Sequence, residues 1–266
     1  DRLAKLELAQ AAAASVVWKD QEELLDRVQR RLRWFGWIET QGVWSRLGAD
    51  ADFSCRRLAA ALQLADRTGP IGEVELAQFH EGMQRLSDRY LGVSELPNRE
   101  QMLAAAAELD RFSAGVDVQI GVNVISREPG GFLGTKLRGV AEAAGLSLKE
   151  DGLFHALDDA GQSAFTMGNL EPAMFTAAGM KDLTTQGLTF VLDVPRVREG
   201  AAVFDRMVTV ANRIASALGG TLVDDTRRAL DPRSLDVIRG KIGEFQARML
   251  DRGIPAGGAT AMRLFT

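Results

Sequence analysis

The chain has 266 residues, enough for about two domains of ordinary size. Its 46% hydrophobic and 26% charged residues are those expected of a soluble globular protein, not of a disordered or membrane one. A net charge of −4 and a pI near 5.4 argue against a nucleic-acid binder, whose footprint is basic. No apolar run approaches the roughly 18 residues that read as a membrane span, and no signal peptide is visible. The single cysteine, Cys55, excludes an intramolecular disulfide and fits a reducing compartment. Because the chain begins at Asp1 rather than Met, it is expected to be a fragment, from which an upstream membrane anchor could be missing.

The first half predicts a helix over Leu24–Phe35 that runs into Gly36 and Trp37, then a strand carrying Leu62 and Leu64. All four tryptophans (Trp18, Trp34, Trp37 and Trp44) lie in this half, and core and hairpin packing accounts for them better than a stacking platform. Leu76, Phe79, Met83, Leu86, Ser87 and Tyr90 form an apolar stripe at helical spacing, and Gly92 closes that helix. A further helix covers Arg99–Leu109, and the domain boundary falls near Ser113, Ala114 and Gly115.

The second half opens with a strand, Val116–Val124, with Val118, Ile120, Val122 and Val124 on one side. Asp117, Gln119, Gly121 and Asn123 occupy the other side, as expected of a half-buried strand. Pro129-Gly130-Gly131-Phe132-Leu133-Gly134-Thr135-Lys136 precedes a helix over Leu133–Ala144, with Gly145 and Leu146 after it. A phosphate loop needs Gly-Lys-Ser/Thr after four spacers, and here Thr precedes Lys, so this is a turn feeding a helix. His155 lies near Asp158 and Asp159, but the other histidine, His80, lies in the other half, so a strand histidine is expected rather than a metal ligand.

A last alternating strand places Leu188, Phe190, Leu192 and Val194 inward and Thr189, Val191 and Asp193 outward. Phe204, Met207, Val208, Ala211, Ile214, Ala215 and Leu218 then make a helix stopped by Gly219-Gly220. In Asp224-Asp225-Thr226-Arg227-Arg228 the arginines are expected to pair with the carboxylates and hold them ionised. Asp231-Pro232 reads as an N-cap and first helical position for a helix over Pro232–Ile242. Gly253–Thr266 predicts a Gly-rich turn and a short extended segment.

An offset of 128 lays the first stripe on the second without a gap: Leu76 on Phe204, Phe79 on Met207, Met83 on Ala211, Leu86 on Ile214. The same offset puts Leu62 and Leu64 on Phe190 and Leu192, and Leu24–Phe35 corresponds to Leu133–Ala144. The expected fold is therefore α+β, built of tandem split β-α-β units. Each unit would be a mostly antiparallel sheet with helices on one face and the other face open. The open face carries no acid–base pair and no metal cluster, so a docking surface is expected rather than an active site or a cofactor. A nucleic-acid reading of such a sheet needs aromatic and basic residues, and Gln119, Gly121, Thr189 and Val191 supply neither.

The segment 187–195 (GLTFVLDVP), preceded by Met180-Lys181-Asp182-Leu183-Thr184-Thr185, is followed by Gly219-Gly220 and Val223-Asp224-Asp225-Thr226-Arg227-Arg228. In this order and spacing, residues 115–250 resemble the C-terminal domain of the ZipA family of bacterial cell-division proteins. Residues 1–112 resemble that domain only through the duplication, as a divergent copy, and 113–266 would hold the family domain with a C-terminal tail. The resemblance implies a non-enzymatic protein at the cytoplasmic face of the inner membrane, held there by an anchor outside this chain. It also implies that the domain takes the C-terminal tail of FtsZ into a shallow groove on its open sheet face. Carried over by position, the groove is Gln119 and Gly121, Asp151 and Leu153, Gly168 and Leu170, and Thr189 and Val191, from four successive strands. Gln119, Gly121, Asp151 and Val191 are smaller or more polar than the family's large apolar side chains, which implies weaker binding or a different tail pose. In the first half the equivalent outward positions are Lys5, Glu7, Ala61 and Gln63, so residues 1–112 have a structural role or bind a different division protein.

Overall fold

The computed structural model describes all 266 residues, which divide into two compact units, Asp1–Ala114 with Thr266, and Gly115–Phe265. In the first unit the elements are β1 (Arg2–Ala13), α1 (Ala14–Leu24), a 3₁₀ turn (Asp26–Arg31), β2 (Leu32–Ile38), β3 (Val43–Arg46) and β4 (Ser54–Leu62). A short hairpin of β5 (Ala65–Asp66) and β6 (Gly69–Pro70) leads to α2 (Glu73–Arg89), β7 (Val93–Glu95) and α3 (Arg99–Ala114). The main sheet has the order β3-β2-β4-β1-β7, and its ladders are antiparallel. Leu6, Leu58 and Trp34 project from one face into a core shared with Val17 of α1, Phe79 and Met83 of α2, and Met102 of α3. The opposite face has no helix against it in this cluster.

The second unit runs β8 (Gln119–Ser126), β9 (Phe132–Leu133), α4 (Gly134–Ala143), β10 (Leu146–Leu148), β11 (Phe154–Leu157) and β12 (Ser163–Asn169). After it come β13 (Thr184–Thr185), β14 (Gly187–Asp193), α5 (Gly200–Leu218), β15 (Gly220–Val223), α6 (Pro232–Asp251) and α7 (Ala259–Leu264). Its sheet order is β10-β11-β12-β14-β8-β15, again antiparallel throughout. Leu188, Phe190 and Leu192 of β14 are fully buried beneath Phe204, Met207, Ala211 and Ile214 of α5. Gly219 ends α5 at φ +76°, where a side chain would be strained. Asp231 caps α6 by accepting a 2.7 Å hydrogen bond from the Ser234 amide, with Pro232 next in the first turn. Three hydrogen bonds from one α6 side chain fix the end of β14: Gln246 accepts from the Gly200 amide and donates to the Val194 and Val197 carbonyls, at 2.9, 3.0 and 2.9 Å.

Both units are thus α+β sheets with helices, and the three-strand cores β4-β1-β7 and β14-β8-β15 share an order. The duplication breaks down on the other side of the sheet. The strand beside β4 is β2, the first of a hairpin, whereas the strand beside β14 is β12, the last of a three-strand meander. The helix expected over Leu24–Phe35 is not formed: α1 ends at Leu24, a 3₁₀ turn follows, and Leu32–Ile38 is strand. There Leu32, Trp34 and Gly36 point inward and Arg33, Phe35 and Trp37 outward, a period of two rather than 3.6. Gly36 sits mid-strand because a Cβ there would lie 2.7 Å from the Cys55 sulfur. Leu64 is buried but falls beyond the end of β4, since the β5–β6 hairpin takes up the following residues. The first strand of the second unit begins at Gln119, not Val116. The C-terminal segment is a helix, α7, rather than extended chain: the Gly257 amide bonds the Pro195 carbonyl at 3.0 Å, and the chain then turns into Ala259–Leu264.

Candidate functional site

Pairing across the second sheet assembles its open face in rows. Gly121, Val191, Thr166 and His155 form one row, and Asn123, Thr189 and Gly168 the next. Gln119 lies opposite Asp193, to which its amide donates at 3.4 Å. Of the residues chosen from the sequence, Gln119, Gly121, Gly168, Thr189 and Val191 therefore share three neighbouring strands and one face. Leu153 and Leu170 lie just outside β11 and β12, and each folds back over the sheet. A Cβ at Gly168 would sit 2.9 Å from Leu153 Cδ2, and one at Gly187 would sit 2.6 Å from Leu170 Cδ2. The glycines thus leave the sheet bare where the leucines lie across it, and Leu170 stays 41% exposed.

Asp151 is not a strand residue. It belongs to the turn closed by the Gly152 amide on the Lys149 carbonyl, with Gly152 at φ +76°. Its carboxylate accepts from the Leu153 amide at 3.1 Å and contacts His155 Nε2 at 2.8 Å. The other ring nitrogen of His155 meets Ser163 Oγ at 2.8 Å. His155 is a strand histidine as expected, and the two histidines lie in different units. What the reading missed is that His155 and Thr166 face the open side. The buried Phe154, Phe165 and Met167 beside them carry the alternation that would have shown it.

At the other edge the loop after β15 closes the face. The Asn123 side-chain amide donates to Asp225 at 3.3 Å, and Asp225 stands 3.8 Å from where a Gly121 Cβ would be. The arginine–carboxylate pairing expected in this loop is not what holds it. The Arg228 amide, the Thr226 hydroxyl and the Thr226 amide bond Asp224 at 2.9, 2.7 and 2.8 Å. These bonds hold the Asp224 carboxyl below its usual range, and the Arg228 charge adds least. The local turn wins because it aims two backbone amides and a hydroxyl at Asp224.

The face is therefore apolar at its centre, through Leu153, Leu170 and Val191, with Asp151, Asp193 and Asp225 at its rim. No group of three or more metal-ligating side chains occurs in the protein, and no helix is long and apolar enough to cross a membrane. The second unit is thus an α+β domain whose main antiparallel sheet is backed by helices on one face and open on the other. Residues 118–241 match the family described as "ZipA, C-terminal FtsZ-binding domain". Three proteins named Cell division protein ZipA align with the chain. The one from Pseudomonas putida (strain W619) is 32% identical over 157 residues, 58% of this chain and 53% of that protein. The one from Ectopseudomonas mendocina (strain ymp) is 30% identical over 162 residues, 59% of each. The one from Stutzerimonas stutzeri (strain A1501) is 30% identical over 187 residues, 67% of this chain and 64% of that protein. The chain thus spans between 53% and 64% of the length of these relatives.

Proposed function

We propose that the second unit docks the C-terminal tail of FtsZ on its open sheet face and links the division ring to the inner membrane through an anchor outside these residues. The observation that carries this reading is the pair of leucines laid over glycines, Leu153 on Gly168 and Leu170 on Gly187, in a unit that matches the ZipA C-terminal domain family. An apolar stripe of this kind suits the apolar side of a short helix or extended peptide. Few large side chains contribute, and burial is worth about 25 cal/mol per Å² of apolar surface, so the affinity is modest and rests on a few positions. The acidic rim favours a tail with a basic residue beside its apolar anchors.

Calorimetry with an FtsZ C-terminal peptide tests the assignment. Leu170→Glu and Val191→Glu each place a charge on the stripe while leaving the core under α5 intact, and each is expected to abolish tail binding with the fold retained. Unchanged affinity in both variants would show that the tail docks elsewhere.

A further inference from the structure

The two edges of the second sheet differ. Beyond β15 the chain returns and covers the edge: Val223 bridges to Ala229, and the Leu230 amide meets the Leu222 carbonyl at 3.4 Å. At the other end β10 is the last strand, paired only with β11. The Lys149 amide bonds the Leu153 carbonyl at 2.9 Å, across the turn that joins these two strands. Backbone groups in an antiparallel pair turn to alternate sides. Ser147, like Lys149, therefore faces β11, and Leu146 and Leu148 point their amides and carbonyls out from the free edge.

A groove of about 650 Å³ runs beside that edge. It is lined by Leu146 and Leu148 of β10, Arg138 and Glu142 of α4, and Phe175 and Ala177 beyond β12. Leu146 and Leu148 pack toward the core, whereas Ser147 is exposed opposite His155, so the groove lies on the helix side of the sheet and not on its open face. Phe175 is fixed in place: its amide donates to the Gly152 carbonyl at 3.2 Å, and its ring meets Phe154 edge to face at 5.5 Å. Arg138 and Glu142 pair with each other at 2.8 Å and so cancel. Lys149 and Glu150, also at the groove, add one charge of each sign.

These features decide the occupant. Two sets of amide and carbonyl groups about 6.8 Å apart, at about 3.4 Å per residue, match the backbone of an extended chain. A helix has its backbone groups bonded internally and cannot meet them. The three residues of β10 fall far short of the roughly 800 Å² per partner that holds a second folded copy. A groove with balanced charges gives no advantage to a strongly acidic or basic segment. We infer that β10 is a strand-addition site: an uncharged extended peptide of another protein pairs with Leu146 and Leu148 and places its alternate, apolar side chains in the groove. The site is separate from the open sheet face and does not depend on what docks there.

NMR of the full 266-residue chain, titrated with a capped heptapeptide of alternating Thr and Val, tests this. The Leu146 and Leu148 amides are expected to shift and to exchange more slowly with solvent. Methylating the peptide's backbone nitrogens at alternate positions removes the donors on one side of the strand. Binding should weaken about tenfold or more for one of the two alternate sets, and little for the other. Leu148→Pro deletes an amide that points to the free edge, where a proline breaks no ladder bond. Ala177→Arg fills the groove from an exposed position. Both variants should lose the peptide while circular dichroism reports an intact fold. A response confined to the open sheet face, affinity unchanged in both variants, or no binding at millimolar peptide would each overturn the proposal.

Discussion

The two sheets have the same three-strand core and turn the same kind of side chain toward their helices, yet their open faces share almost nothing. In the second unit Gly121, Gly168 and Gly187 leave the sheet bare, and leucines from beyond the strand ends lie across it. In the first unit the corresponding surface carries Lys5, Arg57, Phe35 and Trp37 standing on the strands themselves. Period-two alternation separates the two tasks: inward positions answer to packing, and outward ones are free to change. Two sheets with the same packed faces can therefore differ at nearly every outward position.

The comparison breaks first in the core. Trp34→Ala and Phe190→Ala each empty a fully packed site and should cost about 3–5 kcal/mol. Hydrogen exchange followed by mass spectrometry should show the loss confined to the unit that carries the substitution. Equal loss in both would show that the units unfold together. A smaller effect is expected from Gly168→Ala, whose added methyl clashes with the far end of Leu153 and makes ordinary contact with Thr189. It should lift that leucine from the sheet and change FtsZ-tail affinity by roughly tenfold, about 1.4 kcal/mol, while the melting temperature stays within a few degrees.

The smallest effect is one of pH. Burial, then the Arg99 charge, holds the His80 pKa below its ordinary 6.5, and the ring packs edge-on to Phe79. As pH falls below 6.5 the unfolded chain takes a proton that the folded first unit refuses. The stability this site contributes is therefore present above pH 6.5 and lost below it, down to the folded pKa. Thermal melts between pH 7.5 and 5 should show the first unit weakening, and His80→Gln should flatten that slope.

The sequence made the second unit more legible than the first for a physical reason. Leu188, Phe190 and Leu192 alternate with Thr189 and Val191, so β14 and its two faces follow from the residues alone. In Leu24–Phe35, apolar residues satisfy a helical spacing and a strand spacing at once. The choice is settled at long range, by the pairing of Leu32–Gly36 with Leu58–Leu62 of β4, next to the buried Arg31 held at 3.4 Å from Asp66 and donating to the Gly69 carbonyl at 3.2 Å. The site shows the same limit. Gly121, Thr189 and Val191 were readable as outward positions, but the contact of Asp151 with His155 depends on a turn through Gly152. The seating of Leu153 and Leu170 depends on which strands become neighbours, and α7 depends on a bond between Gly257 and Pro195 far back along the chain.

The Gln246 side chain has a mechanical consequence. Strand β14 is laddered on both sides, to β12 and to β8, and just past its end Gln246 grips the carbonyls of Val194 and Val197 and the amide of Gly200. A pull along this strand loads both ladders in shear, many bonds at once, and passes through the amide grip into the long helix α6 behind the sheet. A pull across the sheet would instead peel its strands apart one bond at a time. The domain is thus stiff along one direction and yielding along the other.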